Sequence, residues 1–184
     1  MRIFSLALFV LFLLPAAANA KPVFDKPMYD PVSKSYFELH KVTREENPRS
    51  AEYPDLPFNM AEKFASQRMF KGVRGRLAIV KSNETHMFLM QNFQPDAHAW
   101  IGLRYYCKLR QLRWVNGEQV TRGSFQAWDA DWDQSGDAGC VKGPGQADWM
   151  PVCYSPTSAG FRWVAKGASK HYVAYFIEYP TGKP

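Results

Sequence analysis

Near the C-terminus, residues 171–179 read HYVAYFIEY, apolar on both of the faces that a β-strand presents. Successive side chains of a strand point to opposite sides, so a strand with one solvated face alternates polar and apolar residues. This run does not alternate, and it is therefore expected as a central strand, paired on both edges and covered on both faces. A fold that accommodates it must return earlier segments to either side of it.

Several earlier segments qualify. Residues 36–42 (YFELHKV) set Phe37, Leu39 and Lys41 on one face and Tyr36, Glu38, His40 and Val42 on the other, which predicts a strand. Residues 43–57 are charged, carry three prolines and predict a loop. Asn59 stands as an N-cap with Glu62 three residues on to complete a capping box, and Ala61, Phe64, Ala65 and Met69 recur at helical spacing until Gly72. Residues 77–80 (LAIV) predict a short buried strand. Ser82 caps a second helix whose Leu89, Met90 and Phe93 share one face and which Pro95 stops. Residues 100–103 (WIGL) predict a strand, and 112–115 (LRWV) run into Asn116-Gly117, a strong hairpin signal. From 123 to 151 glycine, proline, aspartate and tryptophan alternate without a sustained period, as in a long structured loop that carries function. Regular structure resumes at 152–155, 161–164 and 171–179, and there is no internal repeat.

Residues 1–20 carry Arg2, an apolar run from Ile3 to Leu14 and small residues ending in Ala18, Asn19 and Ala20, the pattern of a secretory signal peptide. The run is shorter than the ~20 apolar residues of a spanning helix. The expectation is an exported chain beginning at Lys21, secreted or periplasmic, with an N-terminal arm over 21–35 and about 164 residues in all, enough for one domain. The formal charge of +6 falls to +5 once Arg2 is lost, which favours solubility and attraction to anionic surfaces. Three cysteines in an exported chain predict one disulfide and one thiol left over; without a Cys-x-x-Cys spacing, zinc and thioredoxin-like readings have no support.

Two helices, WIGL, RWVNGE, FQAW, a long loop, a Cys-containing strand, a Trp strand and a closing YFIEYP occur here in that order. This arrangement resembles the C-type lectin-like domain over residues 36–180. FNMAEKFA matches the family's Trp-x-x-Ala helix start, and GRLAIVKSNETHMFL matches its Gly-x-Leu-Ala-x-Ile-x-Ser-x-x-Glu stretch. The resemblance implies an α+β fold, with two helices packed on a mostly antiparallel sheet and a long loop region. Where the family often joins its first helix to its last strand by a disulfide, Ala65 and Ile177 stand instead. Cys153 matches the family's cysteine after the long loop, and its usual partner near Ser169 is missing. The resemblance thus implies a Cys140–Cys153 bridge with Cys107 as the odd thiol, and a bridge through Cys107 stays open.

Sugar-binding members of the family coordinate calcium through a Glu-Pro-Asn or Gln-Pro-Asp triplet in the loop and a Trp-Asn-Asp triplet in the strand after it. Here the second position reads Trp163-Val164-Ala165, without oxygen donors, and calcium needs six to eight oxygens. Gln94-Pro95-Asp96 lies before WIGL and reads as a helix stop and turn. No cofactor is expected. A non-standard calcium site at Asp129, Asp131, Asp133 and Asp137 competes with the reading of DADWDQSGD as a solvated acidic loop.

Trp132 and Trp149 are candidate platforms for sugar rings, with Asp131, Asp133 and Asp148 to take hydroxyls; Trp128, Trp100, Trp114 and Trp163 read as packing. Arg68, Lys71, Arg74, Arg76, Lys108, Arg110 and Arg113 can contact phosphate or sulfate, although solvated faces are the commoner meaning of such spacing. His40, His86, His98 and His171 are scattered without a ligand or triad pattern, so no catalytic residue is assigned. The expected function is non-catalytic binding of a glycan, or of a protein surface, through the loop, with no nucleic-acid partner.

Overall fold

The computed structural model describes residues 26–49, 54–130, 132, 140 and 148–184. In chain order they form β1 (Met28–Asp30), β2 (Ser35–Lys41), β3 (Leu56–Pro57), α1 (Phe58–Gln67), β4 (Met69–Phe70), β5 (Val73–Arg74), β6 (Arg76–Leu77), α2 (Asn83–Phe93), β7 (Ala99–Tyr106), β8 (Gln111–Trp114), β9 (Trp149–Thr157), β10 (Gly160–Ala165), β11 (His171–Tyr172) and β12 (Ala174–Tyr179).

The main sheet runs β1-β2-β12-β7-β9-β10, with β6 also on β12 and β8 also on β7. Only the β12–β7 pairing is parallel, so the sheet is mostly antiparallel. The run 171–179 divides: β11 leaves to pair with β3, and β12 lies between β2 and β7 with every residue buried. Its two apolar faces have separate destinations. Phe176 enters a core with Phe37, Leu39, Ile101, Trp163 and the α2 residues Leu89 and Phe93. Tyr175 and Ile177 enter a second core with Leu56, Trp100 and the α1 residues Phe58, Ala61 and Ala65. Each helix therefore covers one face of the same central strand, and Ala65 and Ile177, both at 0% exposure, close the second core with apolar side chains.

Local chemistry sets the element boundaries. Ser82 caps α2 by accepting the Thr85 N–H at 3.1 Å, and Gln94 ends the helix in the left-handed region at φ 44°. Asp96 then accepts from Lys41 Nζ at 3.1 Å, so Gln94-Pro95-Asp96 is a helix stop. Gly102 of WIGL is needed sterically: a Cβ there would lie 2.6 Å from the Leu77 carbonyl oxygen, and its N–H donates to the Ala78 carbonyl at 2.8 Å. The Asn116-Gly117 turn closes as expected, with Gly117 at φ 87° and the Trp114 N–H donating to the Glu118 carbonyl.

Three expectations are corrected. Helix α1 starts at Phe58 behind Pro57, without a side-chain cap. Phe58 packs edge-on against Trp100 and starts the helix two residues early, while Glu62, freed from a capping box, binds Arg104. The same helix ends at Gln67. Met69 lies in β4, and Lys71 and Gly72, both at positive φ, form the two-residue turn to β5. Strand β9 begins at Trp149, three residues before the expected 152, because its start pairs with the end of β7. The segment read as an N-terminal arm contributes β1. There the buried Asp30 accepts from the Val32 and Ser33 N–H groups and from the hydroxyl of Thr85 on α2.

Candidate functional site

The site builds outward from Trp163 on β10. Trp163 is fully buried, and Trp114, Phe125 and Trp128 meet it edge-on at 5.6–5.8 Å. The chain entering the long connection is held along β10: the Trp163 N–H donates to the Ala127 carbonyl and the Asp129 N–H to the Trp163 carbonyl. The Trp132 N–H in turn donates to the Asp129 carbonyl. These bonds set the Trp132 indole flat on Trp128, with centroids 4.1 Å apart and planes at 16°, and Tyr105 of β7 supports its edge. An aromatic column thus rises from the buried Trp163 to the half-buried Trp128 and Trp132. The indole N–H of Trp128 donates to Gln126 Oε1 at 2.7 Å.

Trp149 does not join this column. In the β7–β9 register Tyr106 faces Trp149 and Tyr105 faces Met150, so strand alternation sends Trp149 to the opposite sheet face from Trp132. On that face Arg104 lies over the Trp149 ring at 4.8 Å while its guanidinium reaches both Glu62 oxygens at 2.6 Å, and Phe58 meets the ring edge. Asp148 is exposed and paired with Lys108 at 3.0 Å. The five candidate ligand residues are thus not one cluster: Trp132 stands on one face, Trp149 on the other with Asp148 beside it at the rim, and Asp131 and Asp133 lie outside the described residues. Of the candidate cation ligands, Asp129 is half-buried beside Trp163, and Asp131, Asp133 and Asp137 lie outside the described residues. Among the described residues no group of three or more His, Cys, Asp or Glu side chains converges as a metal site. Val164 and Ala165, at the family's second calcium position, are buried in β10 and offer no side-chain oxygen, so that part of the usual calcium shell does not fit this chain.

The expected Cys140–Cys153 bridge is overturned. Cys140 is bonded to Cys107, with the Cα atoms 5.9 Å apart. Cys140 packs against the core that contains Tyr105 and Met150, whereas Cys153 is buried in the core of α1, across the sheet. No signal local to the cysteines reveals this; the alternation of β9 does.

The remaining reactive side chains are held by structural partners. Burial pushes the Cys153 thiol up to about 12. Burial lowers His86, helped by Arg162, and its Nδ1 pairs with the Tyr154 hydroxyl at 2.8 Å. His98 Nδ1 pairs with Ser155 at 2.9 Å and its ring stacks on Tyr172. His40 lies between Glu38 and Glu46, and the Tyr179 and Tyr175 hydroxyls donate to those carboxylates. Arg68, one of the seven candidate cations, completes this network at 2.6 Å from Glu38; Arg76 holds the buried Glu178 through two bonds. Both therefore serve the fold.

A family sequence model described as the lectin C-type domain matches residues 64–153. Among solved structures, human lithostathine is similar with a TM-score of 0.57 at 15% identity, covering 90% of this chain and 94% of that one. The cow carbohydrate-recognition domain of CD23, crystallised in the presence of GlcNAc2Man3 oligosaccharide, gives 0.55 at 14% identity, covering 86% and 96%. The C-type lectin domain of murine dendritic cell inhibitory receptor 2, in complex with N-glycan, gives 0.51 at 16% identity, covering 78% and 89%. These likenesses concern the fold. Among curated protein sequences no relative matches this chain.

Proposed function

We propose that this chain, which belongs to the C-type lectin-like domain family, is a non-catalytic binding module that takes carbohydrate on the Trp128–Trp132 surface without the family's usual calcium. One observation carries the reading: two half-buried indoles lie 4.1 Å apart at the foot of the long connection, held from beneath by Trp163 and Tyr105. An aromatic surface fixed in advance meets the apolar face of a pyranose without ordering cost, and Asp131 and Asp133 flank Trp132 in sequence to accept hydroxyls. Trp149 is left out of the proposed contact, since Arg104 and Phe58 already occupy its ring. The engagement of His40, His86, His98 and Cys153 in packing supports a binding role over a catalytic one.

The module acts outside the cytoplasm, a reading supported by the N-terminal signal pattern and the Cys107–Cys140 bridge. No helix among the described residues is long and apolar enough to cross a membrane.

The test is a glycan array probed with the mature chain and with Trp132→Ala, each with and without EDTA. Hits that persist in chelator and vanish in the variant are expected. Hits that need calcium would restore the aspartate-rich segment as a metal site. A blank array from folded protein would reject the carbohydrate reading, and a partner recovered from surface extracts would turn it toward protein recognition.

A further inference from the structure

Beside the aromatic column lies a groove of about 290 Å³ between the start of β8, the 119–122 segment and Gln126, with Arg110 and Arg122 among its lining residues. We propose that this groove is a separate site that binds the acid group of an anionic saccharide, a sulfate or carboxylate carried on a sugar. It goes beyond the reading above, because neither Trp128 nor Trp132 lines it, and Gln126 alone links the two through its bond to the Trp128 indole.

The first ground is charge. Arg110 and Arg122 are both exposed, and neither guanidinium makes a hydrogen bond or ion pair among the described residues. No described carboxylate lines the groove. Arg68, Arg76, Arg104 and Arg113 are each committed to a carboxylate, an amide or a ring, whereas these two keep their donors open at the mouth of one groove. A guanidinium presents a planar fork of N–H groups that matches a carboxylate or sulfate.

The second ground is the direction of the amides. Gln126 Oε1 accepts from the Trp128 indole and Gln111 Oε1 accepts from Arg113, at 2.7 and 3.2 Å. Indole and guanidinium only donate, so each glutamine must turn its oxygen to them and keep its NH₂ for another partner. The Thr121 and Ser124 hydroxyls satisfy each other at 2.9 Å. Two guanidiniums and the NH₂ groups of Gln111 and Gln126 thus outnumber side-chain acceptors such as the Gln119 amide oxygen, a set that suits an oxygen-rich, negatively charged ligand. The size falls near the lower end of small-molecule sites, ~300 Å³, so it suits one sugar residue with its acid group rather than an extended polymer. The sugar is preferred over a bare ion because a groove of about 290 Å³ is several times larger than one sulfate.

Calorimetry on the mature chain tests this with a heparin-derived hexasaccharide, maltohexaose and inorganic sulfate. The hexasaccharide is expected to bind and maltohexaose not to bind at this groove. Arg110→Gln and Arg122→Gln should each weaken the hexasaccharide by about tenfold, as loss of a charge-assisted contact does. Arg74→Gln, which removes the same charge from β5, should change it by less than about twofold, and Trp132→Ala should leave it unchanged. The three arginine variants alter exposed side chains, and an unchanged unfolding midpoint certifies each of them, while a single cooperative unfolding transition above the assay temperature certifies Trp132→Ala. No binding of the hexasaccharide overturns the proposal. An equal loss in Arg74→Gln overturns it too, since a basic chain would then be attracting a polyanion without a site. Sulfate binding as tightly as the hexasaccharide reduces the groove to an ion site and overturns the saccharide claim. Loss in Trp132→Ala alone moves the ligand to the aromatic surface. A neutral-glycan array that is blank, beside a positive result here, would sink the earlier reading and leave this one standing.

Discussion

The sulfur of Cys107, one residue past β7, is bonded to that of Cys140, 33 residues further on. The closed loop contains the β8 hairpin, the Arg110–Arg122 groove and the Trp128–Trp132 stack, so one covalent link ties the far side of both proposed surfaces to the central sheet. Replacing both cysteines by serine should lower stability by about 3–4 kcal/mol, the loop-closure value for that length. Urea unfolding of the double variant checks this, and faster amide exchange across 123–130 should accompany the loss. An unchanged midpoint would mean that the column alone holds the connection.

Cys153 should behave as the opposite kind of cysteine. It is wholly buried, its Sγ rests 3.6 Å from the Val164 carbonyl, and burial holds the thiol near 12. A maleimide added to native protein should label nothing, and one thiol per chain should appear in denaturant. Rapid native labelling would contradict the buried placement.

What the sequence disclosed, and what it withheld, follows from the range of each signal. Ser82, Pro95 and Asn116-Gly117 act on their own neighbours, and each boundary they announced is where the chain turns. From Ala174 on, the two-faced run also spoke truly, because a strand apolar on both sides belongs in the middle of a sheet, whereas His171 and Tyr172 leave it to pair with β3. Asn59 misled because Phe58, one residue earlier, gains more from entering the Trp100 core than a cap is worth. The disulfide and the separation of Trp132 from Trp149 were illegible for one common reason. Each depends on which face of β7 and β9 a residue takes, and a strand start misjudged at 152 hides the alternation that assigns Trp149, Met150 and Cys153 to their sides.

Gly75 stands where the first helix and the last strand meet. A Cβ there would lie 2.6 Å from the Ala65 carbonyl oxygen and 2.9 Å from Ile177 Cγ2. The backbone oxygen cannot yield, so Gly75→Ala should destabilise by about 1–3 kcal/mol through overpacking. Chemical denaturation measures it; a neutral result would show that helix α1 can shift outward without cost.

The tryptophans of the column should separate by depth. Trp163→Ala removes a side chain met edge-on by three rings and should cost about 3–5 kcal/mol. Trp132→Ala strips a half-buried ring from the top and should cost roughly 1–2 kcal/mol, while removing glycan binding. Equal stability losses would place Trp132 in the core and take away its availability to a ligand.

Stability should fall on both the alkaline and the acid side because of His40. The imidazole is 3% exposed, and its Nε2 lies 2.9 and 3.1 Å from the two oxygens of Glu46. Burial alone would lower its pKa, but the bonds to Glu38 and Glu46 outweigh burial and raise it to about 9. Glu46 is pushed up by burial and brought down further, to about 2, by His40, the Thr43 N–H and Tyr175. A folded pKa above the unfolded 6.5 means that the His40 contribution is complete below about 6.5 and is lost as pH climbs through about 9. A folded pKa below 4.5 means that the Glu46 contribution is complete above about 4.5 and is lost as pH falls toward about 2. Both limbs describe one interaction, worth on the order of 2–3 kcal/mol. Urea midpoints measured from pH 5 to 9.5 should therefore decline for the natural chain above about 6.5 and stay nearly level for His40→Gln. Parallel curves for the two proteins would show that the fold leaves the imidazole with the same proton affinity it has in the unfolded chain, and that its carboxylate neighbours are held by Arg68 and the tyrosines instead.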